Sequence, residues 1–322
     1  MASSRTGQLP VRLVPLVGRE TELRDILTAL DESRLLTLTG PGGTGKTRLA
    51  LAAAAAAGPS FRLGVWWVEL ASLPDQGAVA REVASSLGVA DNLGLDDAAA
   101  IAEHIGDEPA LLVLDNCEHL AGAAARLADR LLTGCGALSI LATSREVLGV
   151  DGERNWTVPP MALPATDTRP EPAALAEFDA IKLFEQRARL ALPSFRLSAA
   201  NAAAVQQVCA RLDGLPLAIE LAAARMRVLS VHQLAARLDD VFGLLTGGGR
   251  LAPPRHQTLR ATLDWSHDLL EDSERVVFRR LAVFAGGFTL SAAERVATGG
   301  LIQPGDVVDV LARLADKSLL RV

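Results

Sequence analysis

Short apolar runs alternate with helix-forming stretches over the first half of the chain. Leu35–Thr39 (LLTLT) is brief, β-favouring and followed by glycines, and residues 48–57 are rich in the best helix formers. That order predicts strand, loop and helix. The alanine run 52–57 gives the helix a small-residue face suited to lying close on a sheet. VWWVEL (65–70) reads as a strand from its aromatic and β-branched content, with Trp66 and Trp67 on opposite faces, and helices are predicted over 79–87 and 98–105. ALLVL (110–114) is a continuous apolar run, the pattern of a parallel strand covered on both faces. A helix over 120–132, a second buried strand over 137–143 and a fifth strand over 156–158 complete the alternation. The fold class this predicts is α/β, a doubly wound parallel sheet whose ligands bind at the carboxyl ends of the strands.

Beyond residue 158 the pattern changes. A connection marked by Pro159, Pro160, Pro164, Pro170 and Pro172 leads into helices only, predicted over 174–191, 199–212, 216–228 and 231–238. The segment TGGGRLAPP (246–254) reads as a flexible linker, followed by helices over 256–270, 273–283, 290–297 and 305–315 and a terminal strand from Ser318. The expected organisation is a polar tail (1–10), a sheet domain (11–160), an all-helical domain (172–245) and a third domain (255–322), with no internal repeat.

With 49% hydrophobic and 22% charged residues, the 322-residue chain can bury sizeable cores and lies far from the composition of disorder. Its net charge of −6 provides no global attraction to nucleic acid or an anionic membrane. Cys117, Cys135 and Cys209 form no CxxC pair, and the histidines lack metal-ligand spacing, so reduced thiols and no metal cluster of that kind are expected. The N-terminus has no uninterrupted apolar segment and nothing reaches the ~18 apolar residues of a membrane span, so the expected location is the cytoplasm, without membrane contact.

Gly40, Pro41, Gly42, Gly43, Thr44, Gly45, Lys46 and Thr47 fit GxxxxGK[ST] between a predicted strand and helix, the context that identifies a P-loop. The glycines let backbone N–H groups turn inward around phosphates, Lys46 neutralises the β and γ oxygens, and Thr47 offers a hydroxyl to Mg²⁺. Asp115, ending LLVLD, is the expected Walker B acid, holding Mg²⁺ directly or through water. Asn116 follows where many P-loop ATPases carry a second acid. An amide orients water but is no useful base. Glu118 or His119 could replace it, with helix capping or a solvated surface as the alternative. Thr143, Ser144 and Arg145 end the next strand, where the Arg145 guanidinium could reach a γ-phosphate or simply close a loop.

Together VGRE (17–20), GPGGTGKTRLA, LLVLDNCEHL (111–120), ILATSREVLGV (140–150) and LDGLPLAIELAAAR (212–225) resemble the signal-transduction ATPases of the STAND class. The likeness is to the NB-ARC-like module of bacterial antibiotic-regulatory and large LuxR-type transcriptional regulators, and it extends to PPRHQTLRATLDWSHDLL and FRRLAVFAGGFTLSAAERV. The resemblance implies a P-loop NTPase domain, a helical lid and a winged-helix-like domain. It implies that Val17, Gly18 and Arg19 lie along adenine and ribose, that Arg48 and Leu217 flank the nucleotide, that Pro216 packs on the base and that Arg145 is the sensor arginine. It also places a wing hairpin and a histidine that contacts ADP in some relatives beyond Val322, so the third domain is expected to be incomplete and the chain a piece of a longer protein.

Over residues 250–322 ten Lys or Arg face nine Asp or Glu, which is not the basic face a phosphate backbone requires. Direct DNA contact by this segment is therefore not expected. The reading is an ATP/ADP switch that exposes an assembly surface in its ATP state, answers a protein or small-molecule signal and is reset by slow hydrolysis. A turnover ATPase of remodelling type and a DNA-binding regulator are the alternatives. Only Lys46, Lys182 and Lys317 are lysines in a chain that otherwise uses Arg, and one of them stands where the P-loop needs a compact ammonium.

Overall fold

The computed structural model describes residues 9–10, 15–89, 96–165, 171–238, 263–264, 267–284, 287–300 and 302–320. Strands β1 (Leu35–Thr39), β2 (Gly64–Glu69), β3 (Ala110–Asp115), β4 (Leu138–Thr143) and β5 (Glu153–Thr157) form one parallel sheet in the order β2-β3-β4-β1-β5. Every residue of β1 and β3 is buried, which is why their sequences are unbroken apolar runs. Among the described residues β5 pairs only with β1, and it keeps its side chains largely exposed, as an edge strand can. Helices α1 (Glu20–Glu32) and α2 (Lys46–Ala57) cover one face, while α3 (Ala78–Leu87), α4 (Asp97–Ile105) and α5 (Ala121–Gly134) cover the other. Trp66 joins the core on the α3–α5 side and Trp67 packs on the opposite one.

The alanine run of α2 works by size. Ala53 and Ala54 are fully buried and Ala55 and Ala56 exposed, so the helix lies close to β1, β3 and β4. Helix α1 was not among the predicted elements, although Leu23, Ile26, Leu27 and Leu30 recur at helical spacing. Ile26 and Leu30 are buried, and each such side chain contributes about 1.5–3 kcal/mol.

The chain then passes through helices α6 (Pro172–Leu175), α7 (Asp179–Ala191), α8 (Ala202–Arg211), α9 (Pro216–Ala224) and α10 (Val231–Arg237). They share a core in which Phe184 meets Phe195 edge-on at 5.9 Å. The single helix predicted over 174–191 is broken, because Phe178 is extended and α7 restarts at Asp179. Helices α11 (Asp272–Leu281), α12 (Leu290–Ala297) and α13 (Asp306–Asp316) pack around Val277, Val310 and Leu314. Here Glu274 is completely buried, accepting from the Glu271 N–H and Lys317 Nζ and paired with Arg313.

The terminal strand expected from Ser318 is not formed. Ser318 has φ 56° and the Leu319 and Leu320 amides return to the Leu314 carbonyl, closing α13 and laying both leucines on the C-terminal core. The linker at 246–254 and most of the helix predicted over 256–270 lie outside the described residues. No helix among the described residues is long and apolar enough to cross a membrane.

Candidate nucleotide-binding site

Strand β1 lies between β4 and β5, yet the chain leaves it through α2 to reach β2 at the far edge. This is a topological switch point, and the P-loop occupies it. The Lys46 ammonium donates to the carbonyls of Gly40 at 2.6 Å and Pro41 at 3.1 Å, while the Thr44 hydroxyl donates to Pro41 at 3.0 Å. Lys46 opens α2, so the loop and the helix N-terminus are a single unit.

Asp115, at the carboxyl end of β3, collects the neighbouring polar groups. Its Oδ1 accepts from the Thr47 hydroxyl at 2.8 Å and the Thr143 hydroxyl at 2.6 Å, and its Oδ2 accepts from Asn116 Nδ2 at 2.9 Å. Burial pushes the Asp115 carboxyl up to about 6, against the two hydroxyl donors, with Glu69 and Glu118 adding to the rise. A carboxylate and a hydroxyl in contact are the hard oxygen donors that Mg²⁺ takes, so this pair fits that ion. Asn116 has its amide committed to Asp115, its N–H donates to Thr143, and its backbone is left-handed at φ 64°. Among the described residues no group of three or more His, Cys, Asp or Glu could hold a metal, and the three cysteines are free and buried.

The other predicted residues divide. The Gly43 carbonyl accepts from the N–H of Leu217 at 3.2 Å, and a Cβ built on Gly43 would lie 3.0 Å from Leu217 Cβ. Pro216, the first residue of α9, stands in looser contact, with its Cγ 4.0 Å from a Cβ built on Gly45. The loop around Val17, Gly18 and Arg19 is fixed from the same direction. A Cβ on Gly18, at φ +62°, would fall 2.1 Å from Asp179 Cγ, and the Arg19 N–H donates to Asp179 at 3.0 Å. The buried Arg19 guanidinium pairs with Glu22 and donates to Thr44 O and Pro159 O. It therefore braces the P-loop.

Arg48 and Arg145 are engaged elsewhere. Arg48 pairs at 3.0 Å with Glu220 of α9, which also takes Arg187 of α7 at 3.0 Å. Arg145 faces Glu118 at 3.5 Å. Sequence reasoning did not single out Asp179 or Glu220. Asp179 gave no signal, but Glu220 is the lone charge in PLAIELAAA, and an otherwise apolar helix with one carboxylate marks a specific partner.

No protein-family profile matches the chain. An M. tuberculosis protein named as an HTH-type transcriptional regulator, Rv0890c, is 47% identical over 291 residues, 90% of this chain. The chain spans 31% of that relative's length. Regulatory protein AfsR of Streptomyces coelicolor is 30% identical over 342 residues, matching 99% of this chain and 31% of its own length. Among solved structures, a Walker-type ATPase of Pyrococcus abyssi aligns over 95% of this chain and 93% of its own with a TM-score of 0.57 at 14% identity. The sheet, the loop and this likeness define a P-loop ATPase fold. The chain belongs to the family of Rv0894, an uncharacterized M. tuberculosis protein that is 42% identical over 311 residues, 96% of this chain and 76% of that protein.

Proposed function

We propose that the chain is the ATP/ADP-binding switch of a bacterial transcriptional regulator, of the STAND type with an NB-ARC-like arrangement. One observation carries this reading: the N–H of Leu217, in the first turn of α9, is bonded to the Gly43 carbonyl of the P-loop. The first N–H groups of a helix have no partner within it, and here one is satisfied by the loop that cradles phosphate. Any change at the phosphates is thus felt directly by the helical region, which acts as the lid.

In this reading Lys46 and the backbone N–H groups of residues 42–47 hold phosphate, Arg48 flanks the nucleotide, Thr47 and Asp115 hold Mg²⁺, and Val17, Gly18, Arg19, Pro216 and Leu217 enclose base and ribose. The bound Mg²⁺ would neutralise phosphate charge. Arg145 reports the γ-phosphate, and ADP favours a closed arrangement that ATP opens for self-assembly. Residues 11–160, 172–245 and 255–322 are the nucleotide, lid and winged-helix-like domains. Hydrolysis is slow, because Asn116 is no base and its amide is already committed to Asp115. The protein works in the cytoplasm and receives a protein or small-molecule signal. DNA is contacted by other parts of the full-length protein, in keeping with the name of the Rv0890c relative. The test is nucleotide binding by wild type and Lys46→Ala, combined with particle mass in ADP and in ATP. Equal affinities in the two proteins would refute the reading.

A further inference from the structure

Glu118 stands three residues after Asp115, in the 3-10 turn Cys117–His119, and its Oε1 lies 3.5 Å from Arg145 Nε. Both side chains are only 8% exposed. The second oxygen of Glu118 is buried with no hydrogen-bond partner among the described residues. A buried carboxylate so placed depends on its counter-ion, because removing one member of such a pair leaves an uncompensated charge. The contact is longer than a hydrogen bond and is not the bidentate fork that makes an arginine pair permanent. It can be exchanged.

We infer that Glu118 sets the discrimination between nucleoside triphosphate and diphosphate by competing with the γ-phosphate for Arg145. This rests on the switch reading above, in which Arg145 meets that phosphate. Glu118 neutralises the guanidinium and adds a negative charge beside the place a further phosphate would take, so it weakens ATP binding. ADP lacks that phosphate and is indifferent to it. Glu118 is thus a positioning residue that acts through Arg145.

The surroundings connect this exchange to the C-terminal helices. Glu118, His119, Arg145 and Glu146 line a cavity of about 230 Å³ whose remaining wall is Leu269, Lys317 and Leu319. Ser318 Oγ donates to the Arg145 carbonyl at 2.7 Å, so the turn after α13 is fastened to the arginine itself. When Arg145 turns to a γ-phosphate, Lys317 is the cation in the same cavity for the released carboxylate, and taking it up draws Lys317 away from Glu274.

The experiment measures, on the full chain, the Kd of ADP and of a non-hydrolysable ATP analogue by calorimetry for wild type, Glu118→Gln, Arg145→Met and the double variant. Glu118→Gln keeps the side-chain volume and should raise analogue affinity about tenfold with ADP affinity held within about twofold, a coupling of ordinary size. In the Arg145→Met background it should have no effect on the ratio of the two affinities. Glu118→Ala should shift that ratio in the same direction, even if it lowers the melting temperature. An equal change for both nucleotides, weaker analogue binding, or an effect that persists without Arg145 would overturn the inference. Absence of any nucleotide binding by wild type would overturn the switch reading with it, whereas normal binding with an unmoved ratio would overturn this inference alone.

Discussion

The N–H of Leu217 donates to the carbonyl of Gly43 at 3.2 Å, and this main-chain bond joins the phosphate loop to the first turn of α9. Around it the Arg48–Glu220–Arg187 cluster and the Arg19–Asp179 contact tie the same two regions together through side chains. The P-loop and the helical region are therefore in direct contact through both main chain and side chains.

Replacing Gly43 by Ala tests that bond locally. Gly43 has φ +85°, and the added methyl would lie 3.0 Å from Leu217 Cβ. The backbone strain alone costs about 1–3 kcal/mol, and the methyl also pushes α9 away. Gly43→Ala should lower the melting temperature and speed proteolysis within the segment joining β5 to α6, which thermal scans and peptide mapping would detect.

Lys46→Ala removes the one ammonium positioned at the loop carbonyls. Charge-assisted hydrogen bonds of this kind are worth about 1.5–3 kcal/mol, so ATP and ADP affinity should each fall roughly 10- to 100-fold. The melting temperature without nucleotide should change little. Calorimetry and thermal scans read the two effects separately.

Asp115→Asn preserves the shape of the Thr47 and Thr143 contacts while removing the charge that would meet Mg²⁺. Nucleotide should still bind in the absence of Mg²⁺, and the gain in affinity on adding Mg²⁺ should disappear. Titrations with Mg²⁺ and with EDTA check this.

Glu274 gives a pH prediction. Burial raises its carboxyl, but the Lys317 hydrogen bond, the Glu271 N–H and the charges of Lys317 and Arg313 more than offset this, holding it below the ordinary 4.5. A carboxyl depressed in the folded state stabilises above its unfolded pKa, and that stability is lost as pH falls through the lower folded value. Wild type should thus lose stability below about pH 4.3, and Glu274→Gln should flatten this part of the curve while costing about 1–3 kcal/mol at neutral pH. Denaturant titrations from pH 7 to pH 3 measure both.

The sheet was legible because β1 and β3 are buried on both faces, so their sequences had to be unbroken apolar runs. The P-loop pattern was legible because it sets particular residues at fixed spacing, and the Thr47 that closes it meets Asp115 at 2.8 Å. What stayed hidden depends on tertiary contact. Phe178 ends one helix and Asp179 starts another because Asp179 is needed opposite Gly18, 161 residues earlier. SLLRV looks like a strand, yet its leucines fold back on Leu314 to complete a core. Glu118 was singled out beside Asn116, but its pairing with Arg145 was not legible, since nothing local distinguishes a carboxylate aimed inward from one in water.

The most direct test of the central claim is small-angle scattering, with mass determination, on the full chain bound to ADP and to a non-hydrolysable ATP analogue. The account predicts a compact particle in ADP and a larger radius of gyration or higher mass in the analogue, with the difference abolished by Lys46→Ala. Superimposable curves and equal mass at saturating nucleotide would contradict it.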